Sequence, residues 1–287
     1  MGLSGGVSPA VTSSDPRPAP GITLGYSPCP NDTFVFCALA CGRIDTGGVQ
    51  IRTVLDDIEG LNRRALAAEL DVTKVSFHAW VHLQKDYALL RSGAALGRGC
   101  GPLVVSRKPL SADALAADRG RLRIAIPGEL TTAALLLRLF APGARDFLVC
   151  PFHGIFDAVL EGRADAGVII HESRFTYAAR GLSKVVDLGQ WWEAGTGLPI
   201  PLGAIIARRT LGPRRIAEIE SWVRASVLEA RRDPAATASY VRAHSQEMDE
   251  EVLRSHIGLY VNEFTVDLGQ EGERAVEALM GMAEKLK

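Results

Sequence analysis

The stretch Leu122-Arg-Ile-Ala-Ile-Pro-Gly128, followed after Glu-Leu by Thr131-Thr-Ala-Ala-Leu-Leu-Leu-Arg-Leu-Phe140, decides the fold. Its first part is a short apolar run stopped by Pro-Gly, the pattern of a buried strand. Its second part opens on hydroxyl residues and continues apolar for a helix's length. Together they form a βα unit, and the alternation goes on with strand Phe147 to Cys150, helix Gly154 to Glu161, strand Ala166 to Ile170 and helix Arg174 to Arg180. Upstream the same order has already run once. Strand Gly21 to Tyr26 and helix Thr33 to Cys41 are followed by strand Val49 to Leu55 and helix Asp57 to Ala68. Strand Val72 to Phe77, a helix near His78 to Leu89 and strand Pro102 to Val105 complete that first run. Strands alternating with helices predict an α/β protein with mostly parallel sheets.

A pattern that starts twice predicts two lobes. Leu66 stands five residues before Asp71 and Leu160 five before Asp165, and each Asp leads into an apolar strand. After strand Pro201 to Ala207 the chain is almost wholly helical, over about Arg214 to Arg231, Pro234 to Ser245, Asp249 to Val261 and Glu271 to Lys285. The expected division places 21–107 and 199–287 in a large lobe and 108–198 in a small one. Two crossovers then make a hinge, with a ligand cleft at the carboxyl ends of the strands. Residues 1–20, rich in Gly, Ser and Pro, read as a disordered tail with neither the charged start nor the apolar middle of a secretory signal.

Composition narrows the classes of function. The chain has 287 residues, 47% of them hydrophobic, and its 32 Lys and Arg nearly cancel its 33 Asp and Glu. That balance argues against a dedicated nucleic-acid or anionic-membrane binder. Apolar runs such as Pro201 to Ala207 fall far short of the roughly 20 residues that span a bilayer. Five cysteines without a CxxC pair argue against a disulfide framework or zinc cluster and for free thiols in the cytoplasm.

Three places can carry chemistry. Ser27-Pro-Cys-Pro-Asn-Asp-Thr33 sits between the first strand and its helix, where backbone amides suit an anionic or hydroxylated ligand, although ordinary capping explains the same residues. Thr131 and Thr132 repeat that arrangement in the second run. His171 follows Ala166-Gly-Val-Ile-Ile170 at a strand's carboxyl end, where an imidazole can act as a general base and Glu172 can orient it; a structural histidine fits the same pattern. His78 and His82 lie one helical turn apart but lack the other parts of a zinc site. His244 and His256, on the helical tail, read as surface or packing residues. Cys29 has no readable partners for a nucleophile.

The runs Gly25-Tyr-Ser-Pro-Cys-Pro-Asn-Asp-Thr-Phe34, Asp71-Val-Thr-Lys-Val-Ser-Phe77, Arg91-Ser-Gly-Ala-Ala-Leu-Gly97 and Ile169-Ile-His-Glu-Ser-Arg-Phe-Thr-Tyr177 together resemble the 1,4-dihydroxy-6-naphthoate synthases. The similarity extends over roughly residues 21 to 285 and leaves the N-terminal extension outside. It implies a two-lobed fold like the type II periplasmic binding proteins. It also implies the futalosine route to menaquinone, with cyclic dehypoxanthine futalosine converted to 1,4-dihydroxy-6-naphthoate by a carbon–carbon lyase that needs no cofactor or metal. Carried over, His171 matches the proposed proton acceptor. Lys74, Val75 and Ser76 match a substrate-contacting strand end, Thr131 and Thr132 the other lobe's substrate loop, and Asn31 and Asp32 the turn facing the cleft. The implied partner is a small-molecule carboxylate. Two alternatives share the architecture, a chorismate dehydratase of the same route and a non-enzymatic cytoplasmic solute-binding protein.

Overall fold

A computed structural model describes residues 21–245 and 249–286; the expected N-terminal tail lies outside them. The first part of the chain contains β1 (Gly21–Tyr26), α1 (Pro30–Ala40), β2 (Gln50–Leu55), α2 (Ile58–Leu66), β3 (Val72–Ser76), α3 (Phe77–Leu83), β4 (Tyr87–Leu89) and β5 (Ala95–Gly97). The second contains β6 (Leu103–Ser106), α4 (Ala112–Ala116), β7 (Arg123–Ile126), α5 (Thr132–Phe140), β8 (Asp146–Val149), α6 (Ile155–Leu160), β9 (Ala166–Ile169), α7 (Ser173–Thr176), β10 (Ser183–Asp187) and α8 (Leu188–Thr196). The chain then returns through β11 (Ile200–Arg208) to α9 (Pro213–Arg232), α10 (Ala238–His244), α11 (Glu250–Tyr260), α12 (Glu263–Val266) and α13 (Gly269–Glu284).

Two sheets form, ordered β2-β1-β3-β11-β4 with β5 also on β11, and β10-β6-β9-β7-β8. They share one plan. In each, two βα units give three parallel strands (β2-β1-β3 and β8-β7-β9), and a strand arriving from the other lobe, β11 or β6, pairs antiparallel beside the third. Asp71 and Asp165 act alike in this plan. The Asp71 carboxylate accepts the backbone N–H of Thr23 over 2.9 Å, and that of Asp165 accepts the N–H of Arg123 over 2.9 Å. Each aspartate thus clips the start of the strand beside its own.

The sheets are mixed rather than mostly parallel, because every pairing of β11 and β6 is antiparallel. Two further expectations change, and one strand was not anticipated. Leu103–Ser106, kept with the first lobe in the sequence reading, is hydrogen bonded between β9 and β10, so the chain crosses between Gly97 and Leu103 and not after residue 107. The helix expected to reach Leu89 ends at Leu83, because Tyr87–Leu89 pairs with β11. Ser183–Asp187, which shows no strand period in the sequence, is the edge strand β10.

The two crossings touch. A side chain on Gly101 would come within 2.3 Å of the Gly189 backbone, so only glycine permits this approach. Leu188 N–H also donates to the Pro102 carbonyl over 3.0 Å. Helix α1 is buried along nearly its whole length, its residues packing against the helical tail, which explains an apolar sequence without an amphipathic stripe. Among the described residues no helix is long and apolar enough to cross a membrane.

Candidate active site between the lobes

A cavity enclosing about 590 Å³ of empty space, mouth included, lies where the carboxyl ends of β1 and β3 face those of β7 and β9. Ser27, Asn31, Lys74 and Ser76 line it from the first lobe and Thr131, Thr132 and His171 from the second, with Ile58, Ala95, Pro102, Ile170, Leu202 and Tyr260 as apolar walls.

The first-lobe polar group is a buried network. Pro30 opens α1, and the next two residues, Asn31 and Asp32, turn inward at 5% and 2% exposure. Asp32 pairs with Lys74, itself 5% exposed, and accepts Ser27 Oγ over 2.6 Å and Asn31 Nδ2 over 2.8 Å. A buried charge pair of this kind holds only when its remaining lone pairs are hydrogen bonded, as they are here. Lys74 reaches Asp32 across Gly203, where a Cβ would stand 2.9 Å from Lys74 Cε. Val75 points the other way. Strand alternation sends its side chain into the core with Phe77 and Leu96, so of the expected trio Lys74 and Ser76 line the cavity and the Val75 side chain does not.

In the second lobe Thr131 caps α5. Its hydroxyl accepts Ala134 N–H over 3.2 Å and donates to the Gly128 carbonyl over 2.7 Å. Thr132 Oγ1 donates to the Leu202 carbonyl of the first lobe over 2.7 Å. Both hydroxyls are therefore engaged by the backbone. An anion at this end of the cavity meets the amides of the first turn, Thr132 and Ala133, and the positive end of the helix.

His171, two residues beyond β9, has a left-handed backbone, φ +57°, a conformation that costs a residue with a Cβ and persists only where its surroundings hold it. The half-buried ring opens on the cavity. Burial, helped by the Lys74 cation and opposed by Asp32 and Asp57, lowers its pKa to about 4, so the imidazole is neutral near pH 7 and free to accept a proton. The Glu172 carboxylate lies 3.9 Å from His256 Nδ1. Burial and the nearby Glu172 and Asp32 push the Cys29 thiol pKa up, which disfavours the thiolate a nucleophile needs.

One residue of this site was missed. His256, taken as surface or packing, is fully buried, donates from Nε2 to Asn31 Oδ1 over 2.8 Å and stacks on His171 with ring centroids 6.1 Å apart. Its helix carries no local signal of this. The only clue in the sequence is a histidine at a core position of an amphipathic helix.

Comparison with known proteins shows the family and the fold. Residues 22–285 match the menaquinone biosynthesis family. The chain belongs to that family. It is 50% identical over 263 residues to 1,4-dihydroxy-6-naphthoate synthase of Thermus thermophilus, covering 92% of this chain and 94% of that one. It is 51% identical over 267 residues to the Streptomyces coelicolor protein of the same name, covering 91% and 92%. Among solved structures, a structural-genomics protein of Archaeoglobus fulgidus superposes with a TM-score of 0.85 at 37% identity, covering 92% of this chain and 97% of that one. A Candida albicans protein described as having the generic periplasmic binding protein fold gives 0.67 at 13% identity, covering 93% and 90%. The two-lobed fold is thus that of the periplasmic binding proteins, and the family's members named above are enzymes of menaquinone biosynthesis.

Proposed function

We propose that this chain is a 1,4-dihydroxy-6-naphthoate synthase, a carbon–carbon lyase that converts cyclic dehypoxanthine futalosine to 1,4-dihydroxy-6-naphthoate with His171 as general base. The observation that carries the reading is His171 itself: a neutral imidazole on a strained backbone, facing a cavity with a buried cation on one side and helix amides on the other.

The chemistry follows from that placement. The apolar walls suit a flat ring system, and the amides at the start of α5 suit its carboxylate. The imidazole removes a proton next to a carbonyl, and the negative charge that develops on oxygen lies in a cavity shared with the Lys74 ammonium and Ser76. Cleavage of the bond to the sugar-derived portion follows, with aromatisation of the ring as the driving force. Contacts between the lobes exclude water while the base is held against the reacting carbon.

The test is to incubate the purified chain, without added cofactor, with cyclic dehypoxanthine futalosine and separately with chorismate, and to identify products by mass spectrometry. Formation of 1,4-dihydroxy-6-naphthoate from the first and no change in the second supports the reading. Dehydration of chorismate assigns the chain to the neighbouring dehydratase step, and tight binding without turnover of either makes it a binding protein.

A further inference from the structure

A general base usually has its orientation set by a hydrogen bond from its second ring nitrogen to a carboxylate or carbonyl. His171 is held differently. Its ring has two aromatic neighbours: Phe152, edge-on with centroids 5.1 Å apart, and His256, nearly parallel at 20° with centroids 6.1 Å apart. Phe152 belongs to the same lobe as His171, whereas His256 sits on α11 of the other lobe. His256 is itself fixed on two sides. Its Nε2–H bonds Asn31 Oδ1, and its ring packs on Tyr260 of the same helix, centroids 4.6 Å apart. Asn31 in turn is tied through Asp32 to Lys74.

We propose that His256 is a positioning residue for the reaction: its ring, anchored by Asn31, completes the aromatic clamp that aims His171 and closes only when the lobes meet. This rests on His171 being the base and adds what orients it. The clamp also keeps water from the imidazole, so its loss alters the ionisation of His171. The charged and titratable groups that face His171 are Lys74 on β3, Asp32 on α1, Asp57 ahead of α2 and His256 on α11; those that face His256 are His171, Lys74 and Glu172. In the two His256 variants none of these groups but His256 is altered.

Three variants separate the possibilities. His256→Gln keeps a donor for Asn31 but removes the ring, and it should lower kcat by about 10- to 100-fold, a positioning effect, with KM changed less than about threefold. Its acid limb in kcat/KM should move up toward the ordinary imidazole range as water reaches His171. His256→Phe restores the ring without the hydrogen bond and should recover kcat to within about tenfold of wild type, with the acid limb back in place. His171→Ala, run in parallel, shows whether the underlying reading stands. If His171→Ala is inactive while His256→Gln has wild-type kcat and pH profile, the clamp is wrong and the base is right. Near wild-type turnover by His171→Ala removes both. If both His256 variants bind the naphthoate product normally but lose kcat equally with the acid limb unmoved, the ring has no positioning role and the proposal falls.

Discussion

Glu59 Oε2 accepts the backbone N–H of Leu130 over 3.2 Å, so a carboxylate on a helix of the first lobe holds the loop that starts α5 in the second. The fit is close enough that Gly128 can carry no side chain, since a Cβ there would lie 2.4 Å from Glu59 Oε2. Thr132 to the Leu202 carbonyl, His78 N–H to Thr132 Oγ1 and His78 Nδ1 to the Thr131 carbonyl add three more bonds between the lobes. These bonds tie the first lobe to the loop proposed to hold the substrate carboxylate.

Removing the Glu59 latch should weaken ligand binding without touching the chemistry. Glu59→Ala is expected to raise the Kd for the naphthoate product by about 10- to 150-fold at most, the full loss of one hydrogen bond to a charged group, measured by calorimetry. Glu59→Gln, which can still accept from Leu130, should bind nearly as wild type. Stability separates the two forms of the side chain. Burial raises the Glu59 pKa, so its protonated form is favoured in the folded state. The stability this adds is present below the ordinary carboxylate value and lost as pH rises through the raised one. Glu59→Gln should therefore gain on wild type from mildly acidic pH upward, in denaturant unfolding across a pH series.

The histidines give an opposite acid response. Burial lowers His171 and His78 to about 4 and His256 well below its ordinary value. Each depressed group favours the folded state above pH 6.5, and that contribution is lost as pH falls toward 4 because the unfolded chain binds more protons there. Stability should drop steeply between about pH 6.5 and 4. Replacing His78 by Gln should flatten the curve measurably, and an unchanged slope would mean that His78 titrates normally.

Breaking the Lys74–Asp32 pair should be costly. Lys74→Met leaves a buried carboxylate with only Ser27 and Asn31 as partners, and removal of one partner from such a pair costs about 3 to 5 kcal/mol. For a protein of this size that amounts to roughly 6 to 20 °C in Tm. Asp32→Leu combined with Lys74→Met should recover much of the stability but not turnover, because the cation beside His171 is gone. Recovery of both would reduce the pair to packing.

The hydroxyls of Thr131 and Thr132 are already bonded to the backbone, so under the proposed function these residues serve by placing amides. Thr131→Ser should bind product as wild type, whereas Thr131→Ala should lose about 0.5 to 2 kcal/mol of stability as a lost cap. An analogue without the carboxylate should bind wild type at least about tenfold more weakly, as expected for charge-assisted hydrogen bonds. Equal affinity for the two ligands would place the carboxylate elsewhere.

How much of this was legible follows from the range of the forces involved. The βα units, the Asp71 and Asp165 turns and His171 at a strand end are local patterns, read from a few neighbouring residues. The inward turn of the Val75 side chain was legible too, since alternation puts it opposite Lys74 and Ser76. Strands β4 and β10 are short edge segments whose state is set by pairing with distant partners, which overrides local propensity. Leu103–Ser106 is apolar enough for either sheet, so the crossing point could not be read from it. The meeting of His256 with Asn31 spans 225 positions and depends on how the tail helices pack on α1, which no local period encodes.

The most direct measurement is single-turnover conversion of cyclic dehypoxanthine futalosine by wild type and His171→Ala, together with product affinity for each. The account predicts that the variant forms 1,4-dihydroxy-6-naphthoate about 10²- to 10⁴-fold more slowly, the usual contribution of a general base, while its affinity for the product stays within a few-fold of wild type. A variant that turns over at a rate near wild type would contradict the account, whatever its affinity.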